Sequence, residues 1–462
     1  MTRAKTFCDN FPIRECYCPA HFGNSYEVMA AYEMKEMLQE AKFWGFNAYG
    51  DWLDAADLKD PHNNPRNEYL LPQALWDRKL DSFRIAQELE MKTDLIVTPN
   101  HVYINQLDSD LAAETSDKMI GQLVCPSKPK AREIILSNHR RLFNDLRSHG
   151  VSLDSISAFP YDYGGCNCSS CKPWIITFGK LIADIREIAR EYFPNVKIRL
   201  VGWHWDKEEH APFKEWADRE QRGQFVSLAA HILYGETCPN PAIVLPEGCD
   251  LHAFVHIGYA DKAQPIDLYG AWGPTIAPQR LTTTVNELNA IGCAGYMAYS
   301  EGLFDDMNKA LLGGISSGKH DDMPSVLAAY AERYFRAGKE ESRAWVRWLV
   351  QWGEPFSVDT CAARKEFDRL AKGVQPGWRL AQLEAKLRIF EANAEVTKGK
   401  EWDKKRLEAA DRFFLERDKL LRGIWGLGPT REVLNPRLHP PAWYSDWSKR
   451  PSSPRSFVDN ER

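Results

Sequence analysis

The chain has 462 residues, with 59 Lys+Arg against 64 Asp+Glu and a formal net charge of −5. At 44% hydrophobic and 27% charged residues it has the composition of a globular protein and is too apolar for a disordered one. The slightly acidic balance, with no basic block, argues against a nucleic-acid partner; no apolar run approaches the ~20 residues of a membrane-spanning helix, so no membrane partner is expected either.

In chain order, helical periodicity alternates with short apolar runs. A first strand is read within residues 11–22. Residues 28–43 carry Met34, Met37, Leu38 and Ala41 at helical spacing and stop at Gly45, placed as a helix-ending glycine. Residues 46–52 read as a strand, 80–89 as a helix, 93–98 as a strand, and 129–149 as a long helix closed by Gly150. Strands at 155–159, 196–201, 225–233, 251–257 and 294–298 then alternate with helices at 175–192, 212–221 and 278–290. Eight strands separated by helical or loop connections imply parallel strands with crossovers, and predict an α/β fold, the (β/α)8 TIM barrel. The competing arrangement is an open doubly wound sheet, but neither G-x-G-x-x-G nor a Walker A loop is present to favour it.

After Gly318 strand runs give way to amphipathic helices at 325–336, 340–352, 362–370, 378–394 and 402–425. The fourth carries Leu380, Leu383, Leu387 and Phe390 on one stripe. The expected organisation is a catalytic barrel over 1–318, an all-α C-terminal domain over 319–428 and a Pro-rich extended tail over 429–462. The helical part offers a surface for a homo-oligomer.

Tryptophan is in excess: 16 Trp, about one residue in 29, beside 17 Tyr and 21 Phe. Those at 345, 348, 352, 378, 402, 425, 443 and 447 fall in the helices and tail and read as packing residues. Others fall at strand ends, where barrel active sites are built. The strand ends carry Asp51 and Trp52; Asn100 and His101; Tyr161, Asp162 and Tyr163; Trp203, His204, Trp205 and Asp206; Glu236; Tyr259 and Asp261; Trp272; Tyr299 and Glu301. Rings that stack on the C–H faces of a sugar, interleaved with carboxylates, imidazoles and amides that bond its hydroxyls, suit a carbohydrate ligand. Cleaving a glycosidic bond takes two carboxyl groups. Glu301, before Gly302, and Asp162, between two tyrosines and ahead of Gly164-Gly165, are the expected catalytic pair, with Asp206, Glu236, Asp261 and Asp305-Asp306 behind them.

Cysteines are 11 in number, odd and spread over a long chain, unlike a disulfide scaffold. Free thiols in a reducing compartment are expected; no apolar leader follows Met1, so the expected location is cytoplasmic. Cys166-x-Cys168-x2-Cys171 is the most distinctive local motif. Three thiolates this close can wrap a structural zinc, with Cys125 one candidate for the fourth ligand; a compact loop of buried thiols, or one disulfide, is the alternative. No cofactor is expected for the reaction itself. His101, His204, His231 and His256 lie at or near strand ends and read as hydroxyl-binding or core residues, since no H-E-x-x-H is present.

The stretch from Tyr161 to Trp174, Tyr-Asp-Tyr-Gly-Gly-Cys-x-Cys-x2-Cys-x-Pro-Trp, resembles the segment after the fourth strand in barrel glycoside hydrolases related to the hexosaminidase and α-glucuronidase group, which includes a family first catalogued as a domain of unknown function. Tyr299-Ser-Glu-Gly-Leu-Phe-Asp-Asp-Met-Asn-Lys309 is similar to the stretch that opens their last barrel helix. The resemblance runs from residue 11 to 318 and implies a (β/α)8 glycosidase acting on an oligosaccharide or glycoside. Hexosaminidases that use the substrate's own N-acetyl group carry adjacent acidic residues after the fourth strand; here Tyr163 follows Asp162, which argues against an N-acetylhexosamine. Two other functions fit the same strand ends: a sugar-binding barrel without catalysis, and a metal-dependent barrel isomerase or hydrolase using the histidines.

Overall fold

The computed structural model describes residues 11–20, 25–27, 29–52, 71–233, 236–240, 243–258, 274–425, 448 and 452–455. Eight strands, β1 (Ile13–Tyr17), β2 (Ala48–Trp52), β3 (Lys92–Val97), β4 (Ser155–Ala158), β5 (Lys197–Val201), β6 (Phe225–His231), β7 (Asp250–His256) and β8 (Gly295–Tyr299), pair in sequence order into a closed barrel. All pairings are parallel. Closure is made by β8 on β1, with Tyr17 opposite Tyr299.

Helices α1 (Ala31–Trp44), α2 (Leu71–Glu88), α3 (Pro129–Ser148), α4 (Trp174–Tyr192), α5 (Lys207–Glu220), α6 (Pro278–Ala290) and α7 (Asp306–Ser316) follow the strands. Among the described residues no helix stands between β6 and β7. The local sequence explains the ends. α1 stops at Gly45, whose φ of 117° is left-handed and whose N–H returns to Ala41 and Lys42 carbonyls; a side chain there would also meet Ser317. Pro129 and Pro278 open α3 and α6, where a missing N–H costs nothing. α2 is longer than its periodicity predicts, and α5 begins five residues earlier than expected, running through Pro212, which sits within its first turns.

Inside the barrel, side chains lie in layers of contrasting character. Toward the N-terminal ends, Arg199 donates to Glu15 and pairs with Asp94 at 3.2 Å, with Ser155, Ser227 and His252 around them. All six are buried. A cavity of about 460 Å³ lies at this end, lined in part by Asp94, Arg199 and His252. Burial, opposed by Arg199 and reinforced by Asp94, pushes the Glu15 carboxyl up to about 8. Toward the C-terminal ends the lumen turns aromatic: Tyr17, Trp52, Phe159, Phe254 and Tyr299 form one cluster with Ile96, Val201, Ala229 and Met297.

The C-terminal region is helical: α8 (Met323–Phe335), α9 (Lys339–Val350), α10 (Thr360–Ala371), α11 (Trp378–Thr397) and α12 (Lys404–Trp425). Trp345, Trp348 and Trp352 are buried in a run of rings that includes Phe367 and Phe390, so these tryptophans are core. The helices dock on the barrel through Trp44, stacked on Tyr330, and through Asp306, which receives two hydrogen bonds from Arg379 and one from Tyr330. No described helix is long and apolar enough to cross a membrane. Most of the expected tail lies outside the described residues.

Candidate active site at the barrel mouth

The C-terminal ends of the strands gather a basin of rings. Tyr17 stands edge-on to Tyr299 at 5.3 Å and to Phe254 at 6.2 Å; Trp52 meets Phe159 at 5.9 Å and Tyr163 at 5.5 Å. Tyr163 in turn stacks on His101, with centroids 5.1 Å apart. Across the mouth, Trp203 packs on Phe254, His231, His256 and the exposed His204.

Glu301 follows β8 and is 2% exposed. Its neighbours explain its setting. A β-carbon at Gly258, just past β7, would stand 2.3 Å from Glu301 Cγ, so only glycine fits beneath it. The backbone N–H of Glu301 donates to Asp305 at 2.5 Å; Ser300 donates to the same carboxylate. Lys309 pairs with Asp305 at 2.5 Å and donates to the Gly302 carbonyl. Gly302 has a φ of 105° and turns tightly over Ser25, whose hydroxyl accepts the Leu303 N–H. Asn308 bonds the Ala277 N–H and the Ile257 carbonyl. The polar side chains of Ser300, Asp305, Asn308 and Lys309 are thus employed in fixing the corner that presents Glu301, while Asp306 is taken by Arg379 and Tyr330 of the helical region. Asp305 and Asp306, second-line catalytic candidates from sequence, have these structural partners.

Asp162 lies in the loop after β4 with a φ of 73°, and His204 after β5 with a φ of 58°. Asp162 is fixed by its backbone, which bonds Lys118 and Ile120 of the loop after β3. Left-handed backbone at a non-glycine residue costs energy and gathers at working loops.

His231 and His256 approach through their Nε2 atoms at 3.2 Å. Burial holds both imidazoles well below the usual histidine range, His231 down to about 3. With both neutral, one ring donates and the other accepts.

Other predicted site residues are differently placed. Asp51 precedes lumen-facing Trp52, and the two-residue repeat of a strand turns it to the helix side. There its carboxylate takes the Ala20 N–H and the Tyr49 hydroxyl, and burial raises its pKa. Asn100 is a loop clamp: its amide bonds Val124 and Gly165 carbonyls and accepts the Gly165 N–H. His101 accepts the Gln122 N–H. Trp205 packs on His210 and Phe213 in the outer core rather than beside Trp203. Asp206 precedes α5 and pairs with Lys118 at 2.5 Å. Tyr161 donates to Glu209, a half-buried carboxyl whose pKa burial raises, and which sequence reading passed over. Glu236 is exposed. Tyr259, Asp261 and Trp272 lie outside the described residues.

The sulfur atoms of Cys125, Cys166, Cys168 and Cys171 all lie within 4.8 Å of one another. Among the described residues they are the one group of His, Cys, Asp and Glu donors close enough to share an ion; the strand-end histidines belong to no such group.

No protein-family profile matches the chain, and no curated protein matches it. Solved structures that resemble it include glycoside hydrolases. The catalytic domain of β-amylase from Paenibacillus polymyxa is 10% identical, with a TM-score of 0.40, over 67% of this chain and 97% of that one. A GH20 module of the pneumococcal exo-β-D-N-acetylglucosaminidase is 7% identical, with a TM-score of 0.42, over 75% and 98%. An α-L-fucosidase is 12% identical, with a TM-score of 0.36, over 68% and 97%. At that level of likeness they carry no residue roles over to this chain.

Proposed function

We propose that the chain is a glycoside hydrolase whose reaction runs at the C-terminal mouth of the barrel. The observation that carries this reading is Glu301, a buried carboxylate at the end of β8, held by a corner of committed polar groups beside a basin of aromatic rings. Trp52, Tyr163, Trp203 and Tyr299 would bear on the faces of a sugar, and His101, His204 and the His231–His256 pair would meet its hydroxyls. Glu301 and Asp162 would supply the two carboxyl groups of the reaction, one protonating the leaving oxygen and the other assisting at the anomeric carbon. No cofactor takes part in that chemistry.

The test is turnover of a panel of aryl glycosides. Glu301→Gln should lower kcat by roughly a thousandfold while leaving substrate binding in place. Azide added to Glu301→Ala and to Asp162→Ala then separates the roles in a retaining reaction by the configuration of the glycosyl azide formed: inverted at the anomeric carbon where the nucleophile was removed, retained where the acid/base was removed. Binding of oligosaccharide without release of any sugar, or native turnover by Glu301→Gln, would overturn the proposal.

A further inference from the structure

The loops after β3 and β4 meet along their length. Asn100 clamps one to the other, the Asn167 N–H bonds the Glu114 carbonyl at 2.6 Å, and Asp162 pairs with the strand-like segment around Met119. Cys125 ends the first loop and Cys166, Cys168 and Cys171 lie in the second. Cys125 Sγ stands 3.7 Å from Cys168 Sγ and 3.6 Å from Cys171 Sγ. Four sulfurs held ~2.3 Å from one ion at the corners of a tetrahedron lie ~3.8 Å apart. Disulfide partners would instead be bonded at ~2.05 Å, and the four thiols are free. The Ser127 hydroxyl lies 2.9 Å from Cys171 Sγ, placed to donate to a thiolate as an outer partner of a ligand.

We propose that Cys125, Cys166, Cys168 and Cys171 bind one zinc ion as a closed tetrathiolate site, and that the ion staples the β3 and β4 loops together. An all-sulfur tetrahedron leaves no open position, so the ion is structural rather than reactive. Binding releases the thiol protons to solvent and changes no oxidation state. What the staple holds is specific: His101 and Tyr163, stacked on each other, come from the two joined loops. This inference stands on the sulfur geometry and is independent of the reaction proposed at Glu301.

Elemental analysis of the purified full chain, expressed with zinc in the medium and handled without chelator, should return one zinc per chain and no iron. Cys168→Ala should lose the metal, whereas Cys361→Ser, at an exposed cysteine elsewhere, should keep it. Cobalt added to the metal-stripped protein should give the intense thiolate charge-transfer band of a tetrahedral site, an assay that needs no variant. Stripping the ion should open residues 98–172 to limited proteolysis. A metal-free protein, a stoichiometric iron content, or a disulfide among these four cysteines in the mass spectrum would overturn the site. Unchanged proteolysis after zinc removal would overturn the stapling role.

Discussion

Gly258 lies directly beneath Glu301, so close that a β-carbon at 258 would also stand 2.8 Å from the Glu301 backbone nitrogen. Backbone cannot yield as a side-chain tip can, so Gly258→Ala must displace the corner that presents the carboxylate. Misplacing a reacting group by ~1 Å costs about a hundredfold in rate. A loss of that order in kcat/KM, with an unfolding midpoint changed by only a few degrees, is the expected outcome; native turnover would show that the position of Glu301 does not matter.

At the opposite end of the lumen, Arg199 serves two buried carboxylates. Arg199→Met would leave Glu15 and Asp94 facing each other with no cation. Urea unfolding should register a loss of about 3–5 kcal/mol. The pH dependence follows from Glu15, whose folded pKa stands above its unfolded value. Folding then takes up a proton, so this group's contribution is full below pH ~4.5 and declines as pH rises through about 8. Without Arg199 that decline should reach further toward alkaline pH.

His139 on α3 gives the reverse slope. Its Nδ1 lies 2.8 Å from the Ile135 carbonyl, which can only accept, so Nδ1 carries a proton. Burial lowers its pKa to about 4. The unfolded chain binds the extra proton first, so stability is full above pH ~6.5 and is lost as pH falls toward about 4. His139→Leu should shrink the stability difference between pH 7 and pH 4.5 by roughly 2–3 kcal/mol, read from denaturant titrations at both values.

Arg379 holds Asp306 with two parallel bonds while stacking near Trp378 and Tyr334. Arg379→Ala leaves a largely buried carboxylate short of its cation and should cost about 3 kcal/mol. Arg379→Lys should recover only part, since an ammonium cannot reproduce the planar fork. Native stability of Arg379→Lys would mean that charge alone matters there, and equal stability of the two variants that the lone charge contributes nothing.

The order of strands and helices was legible because most strands carry a short apolar run and several helices are followed closely by a glycine or proline, as at Gly45, Gly150, Pro194 and Gly292. The layers inside the lumen were not. Glu15, Asp94 and Arg199 sit on strands at positions that read as solvent-facing, and period-two alternation does not tell a lumen from water. The same alternation separates Asp51 from Trp52: strand-end position was readable and side-chain direction was not. Trp203 and Trp205 were expected to act together, but the left-handed His204 between them turns the chain, and the second ring goes to the core. Glu301 stood out because its motif is dense in polar residues, though the division of labour within it became clear only from the bonds of Asp305, Asn308 and Lys309.

Helix α11 reaches back to the barrel at three points: Arg379 to Asp306, Gln382 to the Leu303 carbonyl and Lys386 to the Pro274 carbonyl. Two of these contacts fall within five residues of Glu301. The mouth of the barrel is therefore finished from outside, by a segment more than seventy residues downstream in sequence. A barrel cut free after β8 and α7 would keep its sheet and lose the brace on its own rim. Exchange of the helical region between related chains would thus retune the site without touching a residue that lines it.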